Sequence, residues 1–262
     1  MASETSMNDW ERAEIARSSV EATLTPEARL RIMPATFSRY AQPPIDTAFP
    51  LEYAYHLLGD VRGRRVLDLG CGSGANTILL AARGAQVCGL DISEELLRLA
   101  RRRLAINGRG DQAVFVTGSA HALPFADGSI DIVFGIAVLH HLDLARACSE
   151  VRRVLTSGGR AIFQEPVSNS SAIRRVRSLI PYHAPDISPY EHPLTDVELS
   201  RFTDAFSRQS TRAFALPHVR VGEVLPIVRQ RLHKMYEWDH ALLHAVPSLS
   251  RYASIRVIDL TK

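Results

Sequence analysis

The stretch of sequence that decides the fold runs from Val66 to Gly74 and reads Val-Leu-Asp-Leu-Gly-Cys-Gly-Ser-Gly. An apolar run, three glycines at alternate positions and a helix-forming segment from Ala75 predict a strand, a tight turn and a helix N-terminus. Glycines let the backbone of such a turn approach a ligand closely. A second apolar run ends at Asp91, where open α/β sheets place an acidic residue that accepts hydrogen bonds from ribose hydroxyls. The pattern predicts a site for a nucleoside cofactor.

Asp68 narrows the choice among nucleoside cofactors. The glycines alone also fit the loose dinucleotide pattern, with Ala75 in the last position, so they do not exclude a nicotinamide enzyme. A carboxylate two residues before the first glycine would face the like charge of a pyrophosphate, which is costly in a partly desolvated crevice. The same carboxylate suits a cationic amino group. Asp68 therefore favours a cofactor that carries an ammonium group near the turn and a ribose near Asp91.

S-adenosylmethionine (SAM) carries both groups, and at this point the chain resembles the class I SAM-dependent methyltransferases, whose first motif is an acidic residue followed by Gly-x-Gly-x-Gly. The resemblance continues downstream through residues 118–133, 138–142 and 154–163. It covers roughly the stretch from Arg64 to Pro166. It implies a Rossmann-like, doubly wound α/β fold, with a seven-stranded, mostly parallel sheet and an antiparallel last strand.

The resemblance also implies which residues bind SAM. The family usually has an acidic residue where this chain has Ser119, so the adenine amino contact is expected from backbone or from the Ser119 hydroxyl. The expected cofactor-binding residues follow the ends of the predicted strands: Asp68, Gly70, Cys71, Gly72, Asn76, Asp91, Ile92, Ser119, Ala120, His121, Gly135 and Ile136.

Hydrophobic periodicity divides the chain into two parts. Residues 1–60 are expected to form an N-terminal helical cap, and residues 61–262 a SAM-binding domain with a substrate lid at about 167–193. Within the domain, strands and helices alternate, which is typical of a parallel sheet with right-handed crossovers. The predicted strands lie near 65–70, 86–92, 113–118, 130–137 and 159–164, and the predicted helices near 75–83, 93–107 and 143–155.

The C-terminal third carries further structural signals. Thr195 and Glu198 have the spacing of a capping box that opens a helix. Residues 210–217 read as a strand, 224–245 as a helix and 254–260 as a terminal strand. Two strands joined through a helix fit the family's reversed final strand.

Candidate catalytic residues follow the fourth and fifth predicted strands. Glu165 is a candidate base or acceptor contact, with a structural carboxylate that anchors the lid as the alternative. His140 and His141 border the expected methyl site, although helix capping is an alternative role for them. The candidate substrate-binding residues lie in the predicted lid, where packing and solvated-surface roles are alternatives: Tyr182, His183, Tyr190, His192 and Arg174, the last in a basic run with Arg175 and Arg177.

Composition bounds the possible partners. The chain has 262 residues, 46% hydrophobic and 23% charged, with a formal net charge of +3, which is typical of a globular protein and too weak for a nucleic-acid footprint. No apolar run is long enough to span a membrane and no signal peptide is visible, so a cytoplasmic location is expected. Three widely spaced cysteines do not suggest a disulfide scaffold. The histidines lack partners at zinc spacing, so no metal is expected.

Three classes of function remain open on the sequence. Methyl transfer from SAM to an oxygen, a nitrogen or in some cases a carbon of a small metabolite or natural product is favoured, because the acceptor region is irregular, aromatic and histidine-bearing. A methyltransferase acting on RNA or protein would need a basic groove or a recognition module, and neither is visible. The third class comprises a non-catalytic SAM-binding protein or a nicotinamide oxidoreductase. The acceptor and the oligomeric state cannot be read from the sequence.

Overall fold

The computed structural model describes residues 2–170, 192–224 and 230–262. Within these residues seven strands form one sheet, whose order is β3-β2-β1-β4-β5-β7-β6. The strands are β1 (Arg65–Leu69), β2 (Gln86–Asp91), β3 (Ala113–Thr117), β4 (Ile130–Ile136), β5 (Leu155–Pro166), β6 (Arg208–Phe214) and β7 (Ile255–Thr261).

Helices cover both faces of this sheet. They are α1 (Ala2–Leu24), α2 (Pro34–Ala41), α3 (Pro50–Leu58), α4 (Ala75–Ala82), α5 (Glu94–Ile106), α6 (Leu144–Val154), α7 (Asp196–Thr203), α8 (Pro217–Val224) and α9 (Leu232–Ala245). Short 3₁₀ turns occupy Glu27–Leu30, Leu139–His141 and Pro247–Tyr252. Among the described residues, no helix has the length and apolar character that a membrane crossing requires.

Strand direction confirms the predicted sheet. β1 pairs in parallel with β2 and β4, and the parallel ladder continues to β3 on one side and β5 on the other. β7 runs antiparallel to both of its neighbours, β5 and β6, so it is the reversed last strand. The strand order changes direction between β1 and β4, and open α/β sheets bind ligands at the carboxyl ends of the strands at such a point.

The core has one apolar cluster on each face of the sheet. β1 shows how the sequence divides them, because strand side chains alternate between faces. Leu67 and Leu69 belong to the cluster beneath α6 and α7, whereas Val66 belongs to the cluster beneath α3, α4 and α9. Tyr55 of α3 is fully buried and its ring lies edge-on to Phe134 of β4, with ring centroids 5.2 Å apart.

The predicted elements of the C-terminal third differ from the structure at their boundaries. The strand predicted at 210–217 is β6, which ends at Phe214, and Pro217 opens a helix that the sequence analysis missed. Proline is favoured in the first turn of a helix because its missing N–H has no intrahelical acceptor there. The helix predicted at 224–245 begins at Leu232, and residues 225–229 lie outside the described residues. The capping box is confirmed, since the side chains of Thr195 and Glu198 each bond the other's backbone N–H.

Candidate functional site

The glycine turn after β1 places backbone at the carboxyl ends of the strands. Gly70, Gly72 and Gly74 all have positive φ, and Gly74 ends the turn where α4 begins. The close approach at Gly70 requires glycine, because a Cβ there would lie 2.5 Å from Cγ2 of Val138, in the turn after β4. The two turns therefore form adjacent walls of one crevice.

Asp91 joins the end of β2 to this glycine turn. Its carboxylate accepts hydrogen bonds from the backbone N–H of Gly72 (2.8 Å) and of Ser93 (2.9 Å). Burial raises the pKa of Asp91; the two backbone bonds oppose the shift, while the charges of Glu14 and Glu21 add to it. Asp91 is thus a largely buried carboxylate among other negative charges.

Asp68 is more deeply buried than Asp91. Its carboxylate accepts a hydrogen bond from the Thr77 hydroxyl (2.5 Å) and is 1% exposed. Burial raises its pKa to about 7, although the Thr77 bond lowers it, and the charge of Asp91 contributes to the increase. Asp68 does not line the cavity described next, so the structure does not bring it to the lining where a contact with a cofactor ammonium group was predicted.

A cavity of about 270 Å³ opens above the carboxyl ends of β1, β2, β3 and β4. The turn after each of these strands contributes to its wall, as expected for a site where the strand order reverses. The predicted cofactor-binding residues that line it are Gly70, Gly72, Asp91, Ile92, Ser119, Ala120, His121 and Ile136. The structure also places Leu90, Leu96, Gly118, Ala137, Val138 and Leu142 in the lining, none of which was predicted.

Three further predicted cofactor residues are not brought to this lining. Cys71 is buried beneath the turn, with Sγ next to the backbone of Gly89. Asn76 accepts a hydrogen bond from the Tyr55 hydroxyl (3.2 Å). Gly135 is inside β4, where a Cβ would lie 2.6 Å from the ring of Phe163. Their positions fit roles in shaping the strand ends around the cavity.

Helix α1 forms the roof of the cavity, although none of its residues was predicted to be part of a site. One face of the helix supplies Glu11, Glu14, Arg17, Ser18 and Glu21 to the lining. These residues recur at intervals of three or four, which is the spacing of one helix face. That spacing was a visible signal, but a polar stripe on a helix ordinarily indicates a solvated surface.

Glu11 connects this roof to the loop after β3. Its Oε1 accepts a hydrogen bond from the Ser119 hydroxyl (2.7 Å) and lies 3.4 Å from Nδ1 of His121. The other ring nitrogen of His121 accepts the backbone N–H of Asp143 (2.9 Å), the N-cap residue of α6. Accepting this bond leaves the ring proton on Nδ1, facing Glu11.

Glu14 and His141 meet where α1 crosses the turn after β4. Glu14 Oε2 lies 3.3 Å from His141 Nδ1, and the same carboxylate also pairs with Arg17. Burial opposes ionisation of Glu14, but its contacts with His141 and Arg17 lower its pKa to about 2. Oε2 of Glu14 and Nδ1 of His141 are both buried, and the contact between them does not meet hydrogen-bond geometry. The two side chains therefore form a buried polar pair at the cavity wall.

Glu165 is fully buried beneath the turn that carries the two histidines. Its Oε1 accepts the backbone N–H groups of Val138 and Leu139, and its Oε2 lies 2.8 Å from Nδ1 of His140. The rings of His140 and His141 are 4.0 Å apart. Glu165 does not line the cavity. Its contacts fit a residue that positions the turn and His140, rather than one that touches a substrate.

Most of the predicted substrate-binding residues lie outside the described residues, namely Tyr182, His183, Tyr190 and Arg174, together with Arg175 and Arg177. His192 is described, and its side chain is 60% exposed and lies 3.2 Å from Glu198 of the capping box. The structure does not bring His192 to the cavity. Within the described ranges, no group of three His, Cys, Asp or Glu side chains has a metal-binding arrangement.

Comparison with known proteins shows a sequence match across the strands and turns of this site. A family of sequences described as "Methyltransferase domain" matches residues 67–163, which run from β1 to β5. The O-methyltransferase rstn1 of Aspergillus nomiae is 37% identical over 105 residues, which are 39% of this chain and 47% of that protein. The chain thus spans less than half the length of the curated relatives it matches.

Solved structures share the fold over a longer stretch. The geranyl diphosphate C-methyltransferase of Streptomyces coelicolor A3(2) superposes with a TM-score of 0.54 at 16% identity, over 79% of this chain and 76% of that one. The [4+2]-cyclase SpnF superposes with a TM-score of 0.54 at 18% identity, over 80% of each chain. These likenesses concern the fold, whereas the sequence match concerns the strands and turns that build the cavity. Through residues 67–163, this chain is similar to methyltransferase domains, and its fold is that of SAM-dependent methyltransferases of known structure.

Proposed function

We propose that this chain transfers a methyl group from SAM to an oxygen, nitrogen or carbon nucleophile of a small metabolite or natural product. The observation that carries the proposal is the cavity itself. The glycine turn, Asp91 and the loop at Ser119 line one space, and the sequence around them matches the methyltransferase domain. Residues 1–60 would act as a cap, and residues 61–262 would hold both cofactor and acceptor.

The residues around the cavity fit SAM. Asp91 presents carboxylate oxygens beside the turn backbone that lines the cavity, an arrangement suited to ribose hydroxyls. Glu14 and His141 form a buried polar pair at the cavity wall, with Oε2 and Nδ1 3.3 Å apart. Several carboxylates and one arginine also line the cavity, and this excess of negative charge favours a cationic ligand.

When bound, SAM supplies an electrophilic methyl group on a sulfonium centre. The chain's own contribution is to hold the reactants in line and to exclude water, which supplies much of the rate in such a transfer. Ile136, Ala137 and Val138 form an apolar wall beside the glycine turn, with His141 next to them. His141, oriented by Glu14, is placed to take a proton from the acceptor, and Glu165 would act indirectly by fixing the turn.

Calorimetry with SAM, S-adenosylhomocysteine (SAH) and NAD tests the cofactor assignment. We expect SAM and SAH to bind, and Asp91→Asn to weaken both by about tenfold or more, because a charged hydrogen-bond acceptor is lost. Asp111→Asn, an exposed change outside the cavity, is the matched control. Equal binding by the Asp91 variant would remove the ribose role, and tight NAD binding would overturn the cofactor assignment.

The class of acceptor needs a separate experiment. SAM with an isotopically labelled methyl group is incubated with the protein and a cell extract, which is then separated by size. Label in the small-molecule fraction is expected, and the relatives named for O- and C-methyl transfer support this class. Label that stays with protein or RNA would instead favour a macromolecular acceptor.

A second candidate is a reaction other than methyl transfer on the same fold. It is favoured by the likeness to SpnF, a cyclase by name, whose fold agrees as well as that of the methyltransferase. The two candidates differ in cofactor consumption. A methyltransferase converts SAM to SAH as product forms, whereas a cyclase would leave the SAM concentration unchanged.

A further inference from the structure

Helix α1 faces the domain with its polar side. Between Glu11 and Leu24, the apolar residues Ile15, Val20 and Leu24 are 37%, 44% and 68% exposed, whereas Ser18 is 2% exposed. A helix that docks on a core normally turns its apolar stripe inward. The buried face of α1 is therefore suited to contact a polar ligand in the cavity beneath it.

The charge on that face is mainly negative. Glu11, Glu14 and Glu21 line the cavity from the roof, and Asp91 lines it from the sheet. Among the described residues in the lining, Arg17 is the single Lys or Arg, and it lies within 3.3 Å of both Glu14 and Glu21. Burial raises the pKa of Asp91, two backbone hydrogen bonds oppose that increase, and the charges of Glu14 and Glu21 add to it.

We infer that α1 is a charge-sensing roof, whose carboxylates bind cationic SAM more tightly than the neutral product SAH. This inference rests on the proposed function. SAM carries a sulfonium and an ammonium against one carboxylate, a net charge of +1, whereas SAH has no net charge. A cation between Asp91 and the roof carboxylates Glu14 and Glu21 offsets the repulsion of Asp91 by these two charges, and a neutral thioether does not.

Methyl transfer itself weakens the attraction between the α1 carboxylates and the bound cofactor. The acceptor's lone pair forms the new bond to carbon, the C–S electron pair stays on sulfur, and the acceptor's proton passes to a base or to water. The sulfur changes from a sulfonium to a neutral thioether. The attraction to the roof falls at that step, so that α1 favours entry of SAM and release of SAH.

The test is the ratio of the dissociation constants, Kd(SAH)/Kd(SAM), in the full chain. Glu14→Gln and Glu21→Gln each remove one negative charge from the roof with little change in shape. We expect each to lower the ratio by about threefold to tenfold, mainly through weaker SAM binding. Sinefungin carries a cationic amine in the region of the sulfonium but no sulfonium methyl group, so it distinguishes an effect of charge from an effect of methyl contact. In the Glu14→Gln and Glu21→Gln variants, the affinity for sinefungin should fall together with the affinity for SAM.

Glu27→Gln is the matched control, because Glu27 follows α1 and pairs with Arg102 away from the cavity. Its ratio should equal that of the wild type. Added salt should lower the wild-type ratio more than that of the Glu14 and Glu21 variants. If both ligands bind and the ratio is unchanged in both roof variants, the inference is overturned and the proposed function stands. If neither ligand binds the wild type, the proposed function itself fails.

Discussion

At the scale of single residues, Glu165 holds the turn after β4 through three contacts on one fully buried carboxylate. We expect Glu165→Ala to lower the free energy of unfolding by about 3 kcal/mol, because two backbone N–H groups lose their acceptor. Glu165→Gln retains one acceptor oxygen and should cost about 1 kcal/mol. Denaturant unfolding measures both. A large loss of turnover with unchanged stability in both variants would instead show that Glu165 acts directly as a base.

Asp68 makes the free energy of unfolding depend on pH. Its pKa is 3.8 in the ordinary case and about 7 in the fold, so the folded chain binds a proton there more tightly than the unfolded chain. The stability contributed by this group is full below about pH 4 and is lost as the pH rises to about 7. Asp68→Asn removes the effect. Between pH 5 and pH 8 the variant should gain about 2–3 kcal/mol relative to the wild type.

Thermal unfolding of the cofactor-free protein checks this prediction. A gain of that size corresponds to a melting temperature about 5–10 °C higher, relative to the wild type, at pH 8 than at pH 5. Asp111→Asn, at an exposed position, should show no such dependence. A pH-independent difference for the Asp68 variant would mean that the carboxyl group titrates normally.

At the scale of elements, α9 is joined to the end of β6 through one carboxylate. Asp239 is 1% exposed and accepts the backbone N–H groups of Ala215 (2.9 Å) and Leu216 (2.6 Å). Ala215 has φ +63°, an unfavourable conformation for a residue with a side chain, so these bonds hold a strained turn. Asp239→Ala should lower the melting temperature by about 5–10 °C.

The matched control for this element is Glu237→Ala, on the exposed side of the same helix. It should shift the melting temperature by no more than about 2 °C. Far-ultraviolet circular dichroism should show similar helix content in both variants at low temperature. Equal melting temperatures for the two variants would mean that α9 is held to the sheet by its apolar contacts alone.

At the scale of the whole molecule, cofactor binding should stabilise the fold, because the cavity is built from four strand ends and the N-terminal helix. A ligand that binds only the folded state adds about 2.7 kcal/mol at 100 times its Kd, which corresponds to about 5–10 °C in melting temperature. Differential scanning calorimetry with SAM at that excess measures the shift. NAD at the same concentration serves as the comparison, and an equal shift with NAD would contradict the cofactor assignment.

Local sequence determined the strands around the glycine turn, and with them the part of the cavity wall formed by that turn and Asp91. The run through Val66 and the three glycines encode a strand, a turn of positive φ and a helix start within consecutive residues, and Asp91 ends the next strand. Such features depend on residue type and short-range sterics, which act within a few positions of the chain. A terminal strand was predicted at 254–260, where β7 lies, and its reversed direction was expected from the family resemblance.

Tertiary structure alone decided the roof and the roles of the buried carboxylates. Glu11 meets Ser119 across 108 positions, and Glu165 meets the Val138 N–H across 27. A polar stripe on a helix reads as a solvated face until the space beneath it is known, and a carboxylate after a strand reads as a base until its donors are known. Long-range packing determines which polar groups meet, and no local pattern carries that information.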